Sequence, residues 1–358
     1  MSGRFGLVAA LIVVAGALGD ASADDPQPPT KVVERKVSGP VGAMVASPDG
    51  KWLAVADLVD NEVVLFSTTD DRRQVVARRE VAGIAFTSVL FTDDSAFLVV
   101  EPNHDAAGAC TLVVIDVATS TTKFSVDCPP VTRKAGGCLQ VAPDPGGSRF
   151  LVREFSSAEV WDAKSGTRVS DESAENPALR VYRTADAKLK LEDRGDAIAL
   201  VDLSRRVDGW SIDASSSVAA PKGRKPEEAI HDRHVHVAGL TQDGKFLALQ
   251  WKWKRGPRGD DSFGEVRQVT VHSMKDGKAV WKRNVVSGPR AVAMGGDVVA
   301  IGTESGIEFV EAASGKDRGI VPTPEMPATI APAADGRAFW VNLLSGPIVK
   351  VETPAAPK

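Results

Sequence analysis

One phrase recurs along this chain, and it constrains the fold more than any other feature. A short apolar segment runs into a turn carrying Asp or Gly, and a second apolar segment follows. Ser47-Pro48-Asp49-Gly50 precedes WLAVA, Thr92-Asp93-Asp94-Ser95 precedes AFLVV, and Pro143-Asp144-Pro145-Gly146 precedes RFLV. Thr241-Gln242-Asp243-Gly244 precedes KFLAL, Ala334-Asp335-Gly336-Arg337 precedes AFWV, and weaker copies stand at Asp186 and Asp297. The seven markers at 49, 94, 144, 186, 243, 297 and 335 are 38 to 57 residues apart. A period of roughly 40–45 residues is what one four-stranded propeller blade requires.

Each marker also precedes a third strand ending on a polar residue: EVVLFS, TLVVID, AEVWD, AIALVD, RQVTVHS, GIEFVE and PIVKVE. After six of them comes a small polar turn and a fourth, more polar strand, such as TRVSDE or AVWKRNV. Gly, Asp and Ser tolerate the tight backbone geometry of such hairpins. The seventh copy stops after its third strand, whereas Lys31–Ser38 (KVVERKVS) precedes the first copy without a blade of its own. The expected fold is therefore all-β: a seven-bladed β-propeller closed by an N-terminal strand that completes the last blade. Such closure removes a free sheet edge. An open solenoid is the structural alternative, but it needs capping repeats and none is recognisable.

The phrase SPDGKWLAVA, Asp60-Asn61 before EVVLF, and Trp161-Asp162 followed by Lys164-Ser165-Gly166 resemble the WD-repeat and YVTN-type propeller families. The Gly-His pair of strong WD repeats is missing, so the resemblance is one of fold across residues 31–352. It implies that loops joining second to third strands share a face with the connections between blades. Tight second-to-third turns are expected in blades one, six and seven. Expansions are expected at Glu101–Ala109, Trp251–Glu265, Ala214–Asp232 and Pro129–Gly137, all on that face. Long loops on a rigid scaffold are where binding concentrates.

The N-terminus carries an export signal. Arg4 is followed by the apolar run Phe5–Leu18, and Ala21-Ser22-Ala23 places small residues before a cut at Asp24. The expected organisation is a signal over residues 1–23, a Pro-rich linker over 24–30, the propeller over 31–352 and a Pro/Ala-rich tail over 353–358. A periplasmic or secreted location follows, with no transmembrane helix after signal removal and a monomer expected. The 43 basic and 47 acidic residues nearly balance, which disfavours nucleic acid as a partner.

The candidate partner-binding set is Trp251, Lys252, Trp253, Lys254, Arg255 and Arg258, with Lys222, Arg224 and Lys225 on the neighbouring connection. Cations beside indoles can grip an anionic or ring-bearing partner. The bland alternative is a solvated loop whose alternating indoles turn into the core between blades. His231, His234 and His236 form a weak candidate metal set, because residues two apart on a strand share a side. In an oxidising compartment Cys110 and Cys128 could pair across a hairpin; Cys128 with Cys138 is the rival. The sequence holds no G-x-S-x-G, G-x-x-x-x-G-K-[ST], H-E-x-x-H or EF-hand loop, so neither a catalytic residue nor a cofactor is expected. The function expected is a non-catalytic binding or scaffold module for a protein or anionic polymer of the cell envelope. The alternative, resting on analogy between propellers, is a lactonase-like hydrolase or quinoprotein-like dehydrogenase with its site at the central channel.

Overall fold

The computed structural model describes residues 34–78, 86–102, 110–128, 140–144, 147–154, 157–173, 180–183, 189–193, 197–202, 207–213, 230–241, 243–255, 265–285 and 291–355. Strand β1 (Glu34–Arg35) comes first. Blade one is β2 (Val41–Ala46), β3 (Trp52–Asp57), β4 (Glu62–Ser67) and β5 (Arg73–Arg78). Blade two is β6 (Phe86–Phe91), β7 (Phe97–Pro102), β8 (Cys110–Asp116) and β9 (Thr121–Cys128). Blade three is β10 (Gln140–Asp144), β11 (Arg149–Glu154), β12 (Ser157–Asp162) and β13 (Thr167–Ser173). Blade four is β14 (Arg180–Arg183), β15 (Leu189–Asp193), β16 (Ala197–Asp202) and β17 (Val207–Asp213). Blade five is β18 (Ile230–Leu240), β19 (Phe246–Arg255), β20 (Glu265–Ser273) and β21 (Ala279–Val285). Blade six is β22 (Val292–Gly295), β23 (Val298–Thr303), β24 (Gly306–Glu311) and β25 (Asp317–Val321). Blade seven is β26 (Pro327–Pro332), β27 (Ala338–Leu343) and β28 (Ile348–Glu352), with β1 as its fourth strand.

The seven sheets are antiparallel meanders, and the order β26-β27-β28-β1 draws the last from both ends of the described chain. Only Glu34 and Arg35 pair with it, opposite Val349 and Ile348, and residues 31–33 of the expected strand lie outside the described residues. The signal, the linker and residues 356–358 lie outside them too.

The recurring marker has a physical reason. In blades one, two and five the Ser or Thr hydroxyl donates to the marker carboxylate: Ser47 to Asp49 (2.7 Å), Thr92 to Asp94 (2.7 Å) and Thr241 to Asp243 (2.8 Å). The same hydroxyl accepts from the first amide of the second strand, and the carboxylate accepts from the amide two residues on. Gly50, Gly244 and Gly336 turn with positive φ, a region that costs glycine least. Ser95 occupies it in blade two, where its hydroxyl accepts from the Asp49 amide of blade one (2.9 Å). The third copy departs: Asp144 ends β10, is buried, and pairs with Arg149 (3.4 Å).

The core lies between sheets. Leu65 and Val63 of blade one pack with Phe91 and Leu98 of blade two, and Leu112 of blade two with Phe150 of blade three. Ile198 and Leu200 of blade four meet Leu249 and Trp251 of blade five, and Val269 of blade five meets Val292 and Val299 of blade six. Phe309 of blade six stands against Phe339 of blade seven, with ring centroids 5.7 Å apart, and Trp340 of blade seven packs with Leu53 and Phe66 of blade one.

Candidate binding face

Blade five sets the geometry of the candidate site. Its strands β18, β19 and β20 run 11, 10 and 9 residues, against four to six in blade six. The segment 251–255, expected in a loop, is the outer half of β19. Alternation explains it: in Trp251-Lys252-Trp253-Lys254 successive side chains leave opposite faces. Trp251 and Trp253 are 1 % and 3 % exposed, packed with Ile198, Leu200 and Ile212 of blade four. The expectation that these indoles contact a partner is thereby corrected, since they are consumed by the seam between blades four and five.

Lys252 and Lys254 leave the other face and are half-buried. Lys252 stands between His234 of β18 and Arg267 of β20, and Lys254 between His231 and Glu265. Sequence reasoning missed Arg267; its position opposite Lys252 emerges only once the register is fixed. Arg255 ends β19 opposite Ile230, its side chain outside the described residues. Lys222, Arg224, Lys225 and Arg258 lie outside the described residues altogether, as do 103–109, 129–139, 214–229 and 256–264, which make up most of the expected expansions.

The three histidines are backbone members of β18, with a register irregularity between His231 and His234. Their side chains lie outside the described set, and among the described residues no three His, Cys, Asp or Glu converge on a metal position. Cys110 and Cys128 are register partners across β8 and β9; Cys138 lies outside the described residues.

A buried polar chain braces blade five beneath this face. The indole N–H of Trp251 donates to Thr270 Oγ1 (2.8 Å), and Thr270 Oγ1 lies 2.8 Å from His272 Nε2. His272 Nδ1 lies 2.9 Å from the Gly277 carbonyl oxygen. An indole only donates and a carbonyl only accepts, so these partners assign the neutral tautomer: Thr270 donates to Nε2 and Nδ1–H donates to Gly277. Burial pushes the His272 pKa down, against the opposing effect of the Gly277 hydrogen bond.

Second-to-third turns elsewhere among the described residues are tightly built. The Asp57 carboxylate accepts from the amides of Val59 (2.9 Å), Asp60 (3.2 Å) and Ser38 (3.0 Å), tying the segment after β1 to the β3–β4 turn. Asn61, Gly306 and Gly346 take positive φ in the tight second-to-third turns of blades one, six and seven. No helix of the described residues is long and apolar enough to cross a membrane.

No protein-family model and no curated protein matches the sequence. By shape, 1345 chains of solved structures match, so the likeness is to a widely used architecture. A chain in the crystal structure of a mitotic checkpoint complex matches over 98% of this chain and 99% of its own, with TM-score 0.62 and 13% identity. Kuenenia stuttgartiensis hydrazine synthase matches over 90% of this chain and 97% of its own, with TM-score 0.60 and 15% identity. At such identities the two likenesses establish the fold alone: this chain is a β-propeller.

Proposed function

We propose that this protein is an exported, seven-bladed propeller of WD- or YVTN-like repeats, closed into a ring by β1, that acts as a non-catalytic binding module. Its partner is an anionic polymer or acidic protein surface of the cell envelope, gripped through the face on which the long connections emerge. The observation that carries this reading is the lengthened sheet of blade five, which aligns Lys252 and Arg267 in adjacent strands with Lys254 next along β19. Side chains fixed on strands lose less freedom on binding than the same cations on a loop. These three cations outnumber Glu265, the acidic register partner of Lys254, and a net positive row on a rigid platform favours a polyanion. The Ala21-Ser22-Ala23 cleavage pattern supports export.

The test is retention on immobilised heparin, used as a generic polyanion, over a salt gradient. Lys252→Ala/Lys254→Ala/Arg267→Ala is expected to elute at clearly lower salt while keeping the parent's far-ultraviolet circular dichroism. Equal retention of the folded variant and the parent would remove the proposal's support.

A further inference from the structure

We infer that Cys110 and Cys128 form a disulfide that staples the outer hairpin of blade two. The register of β8 and β9 is unbroken from Cys110↔Cys128 through Thr111↔Asp127 and Leu112↔Val126 to Val114↔Phe124. The pairing is tight next to the cysteines, where Thr111 Oγ1 donates to Asp127 Oδ1 at 2.9 Å. Directly opposed residues of an antiparallel pair share a face, with Cα atoms about 4.5 or 5.5 Å apart. Both spacings lie within the roughly 4.4–6.8 Å that a disulfide spans.

The same row continues through Leu112 and Val126, both buried in the seam with Phe150 and Val152 of blade three. The cysteine positions therefore prolong, along the backbone register, the row that carries those two buried side chains. Among the described pairings the β7–β8 ladder ends at Val100↔Val113, whereas β8 goes on pairing with β9 as far as Cys110. A bridge at the last pair of β8–β9 prevents that end of the hairpin from fraying.

The chemistry balances with a disulfide oxidant such as oxidised glutathione. One cysteine thiolate attacks a glutathione sulfur and expels one glutathione thiolate. The second cysteine thiolate then attacks the mixed disulfide and expels the other. Two protein thiols become one disulfide and one oxidised glutathione becomes two reduced. Cys138 remains a thiol.

The experiment is incubation of the folded protein with oxidised glutathione, alkylation under denaturing conditions without reductant, and peptide mapping by mass spectrometry. One alkylated cysteine, Cys138, and a linked Cys110–Cys128 peptide pair are expected. Cys138→Ser should leave no alkylated cysteine and keep the link, with a melting temperature that drops a few degrees when reductant is added. A Cys128–Cys138 link, or three alkylated cysteines in the oxidised parent, would overturn the assignment. Both readouts use the parent and Cys138→Ser, so neither depends on a variant lacking the staple. The result is also independent of what the face binds.

Discussion

At residue scale, Trp251 and Trp253 decide how the candidate face is understood. Beside lysines they resemble part of a contact loop, yet both indoles are enclosed between blades four and five. Trp253→Ala is therefore expected to lower unfolding stability by about 3–5 kcal/mol in urea titration. His272 gives a pH test. Its folded pKa is depressed by burial, so the unfolded chain takes up the proton first on acidification. The stability it contributes is complete above the ordinary histidine value of about 6.5 and is lost as pH falls below it. Urea midpoints at pH 7.5 and 5.5 should differ, and His272→Gln should narrow that difference. The turn carboxylate of Asp243 behaves in the same direction at far lower pH. Hydrogen bonds from the Lys245 side chain, Thr241 and the Lys245 amide bring it to about 2. Its small contribution is complete above the ordinary value of 3.8 and is lost as pH falls from there through about 2.

At the scale of strands, outer strands of several blades reach into the turn of the next. Phe124 of β9, Trp210 of β17 and Trp281 of β21 each stand just after the register shift in the outer pair of their blade. Each lies against a turn glycine of the following blade: Gly166, Gly277 and Gly315. The indoles add a hydrogen bond, Trp210 to the Met274 carbonyl and Trp281 to the Ala312 carbonyl, both 2.9 Å. Trp281→Phe keeps the ring and loses the donor, so a loss of about 1 kcal/mol is expected in denaturant titration. Gly315→Val meets two obstacles, a φ of 71° and Trp281 ring atoms about 3 Å from the new Cβ. A melting temperature several degrees lower is expected by calorimetry.

For the whole molecule, the seam between blades seven and one adds polar ties to its apolar packing. Arg35 of β1 is 8 % exposed, and its guanidinium donates to the carbonyls of Ser67 (2.9 Å) and Asp70 (2.7 Å) in the β4–β5 turn. Its ion pair with Asp71 adds little, because that carboxylate is fully exposed. The carbonyl bonds matter more, as Arg35→Ala leaves partly enclosed acceptors unmet. Asn342 of β27, fully buried, joins the same seam by accepting from the Val41 amide (3.2 Å). Arg35→Ala is expected to cost about 1–3 kcal/mol and to speed proteolysis at the N-terminal strand, read by timed digestion and mass mapping.

The seven four-stranded repeats, their Asp- or Gly-bearing turns and the pairing of part of the N-terminal segment with the last sheet were legible in the sequence. Each follows from local rules of alternation, turn chemistry and repetition over short distances. The Asp144 departure, the extension of β19 through Arg255, the placement of Arg267 beside Lys252 and the burial of both blade-five indoles were not. These depend on the register between strands and on which face meets a neighbouring blade. A period-two pattern states that Trp and Lys part company, but it cannot name the side that becomes interior. Only the packing of blade four against blade five, which removes one face of β19 from water, decides that.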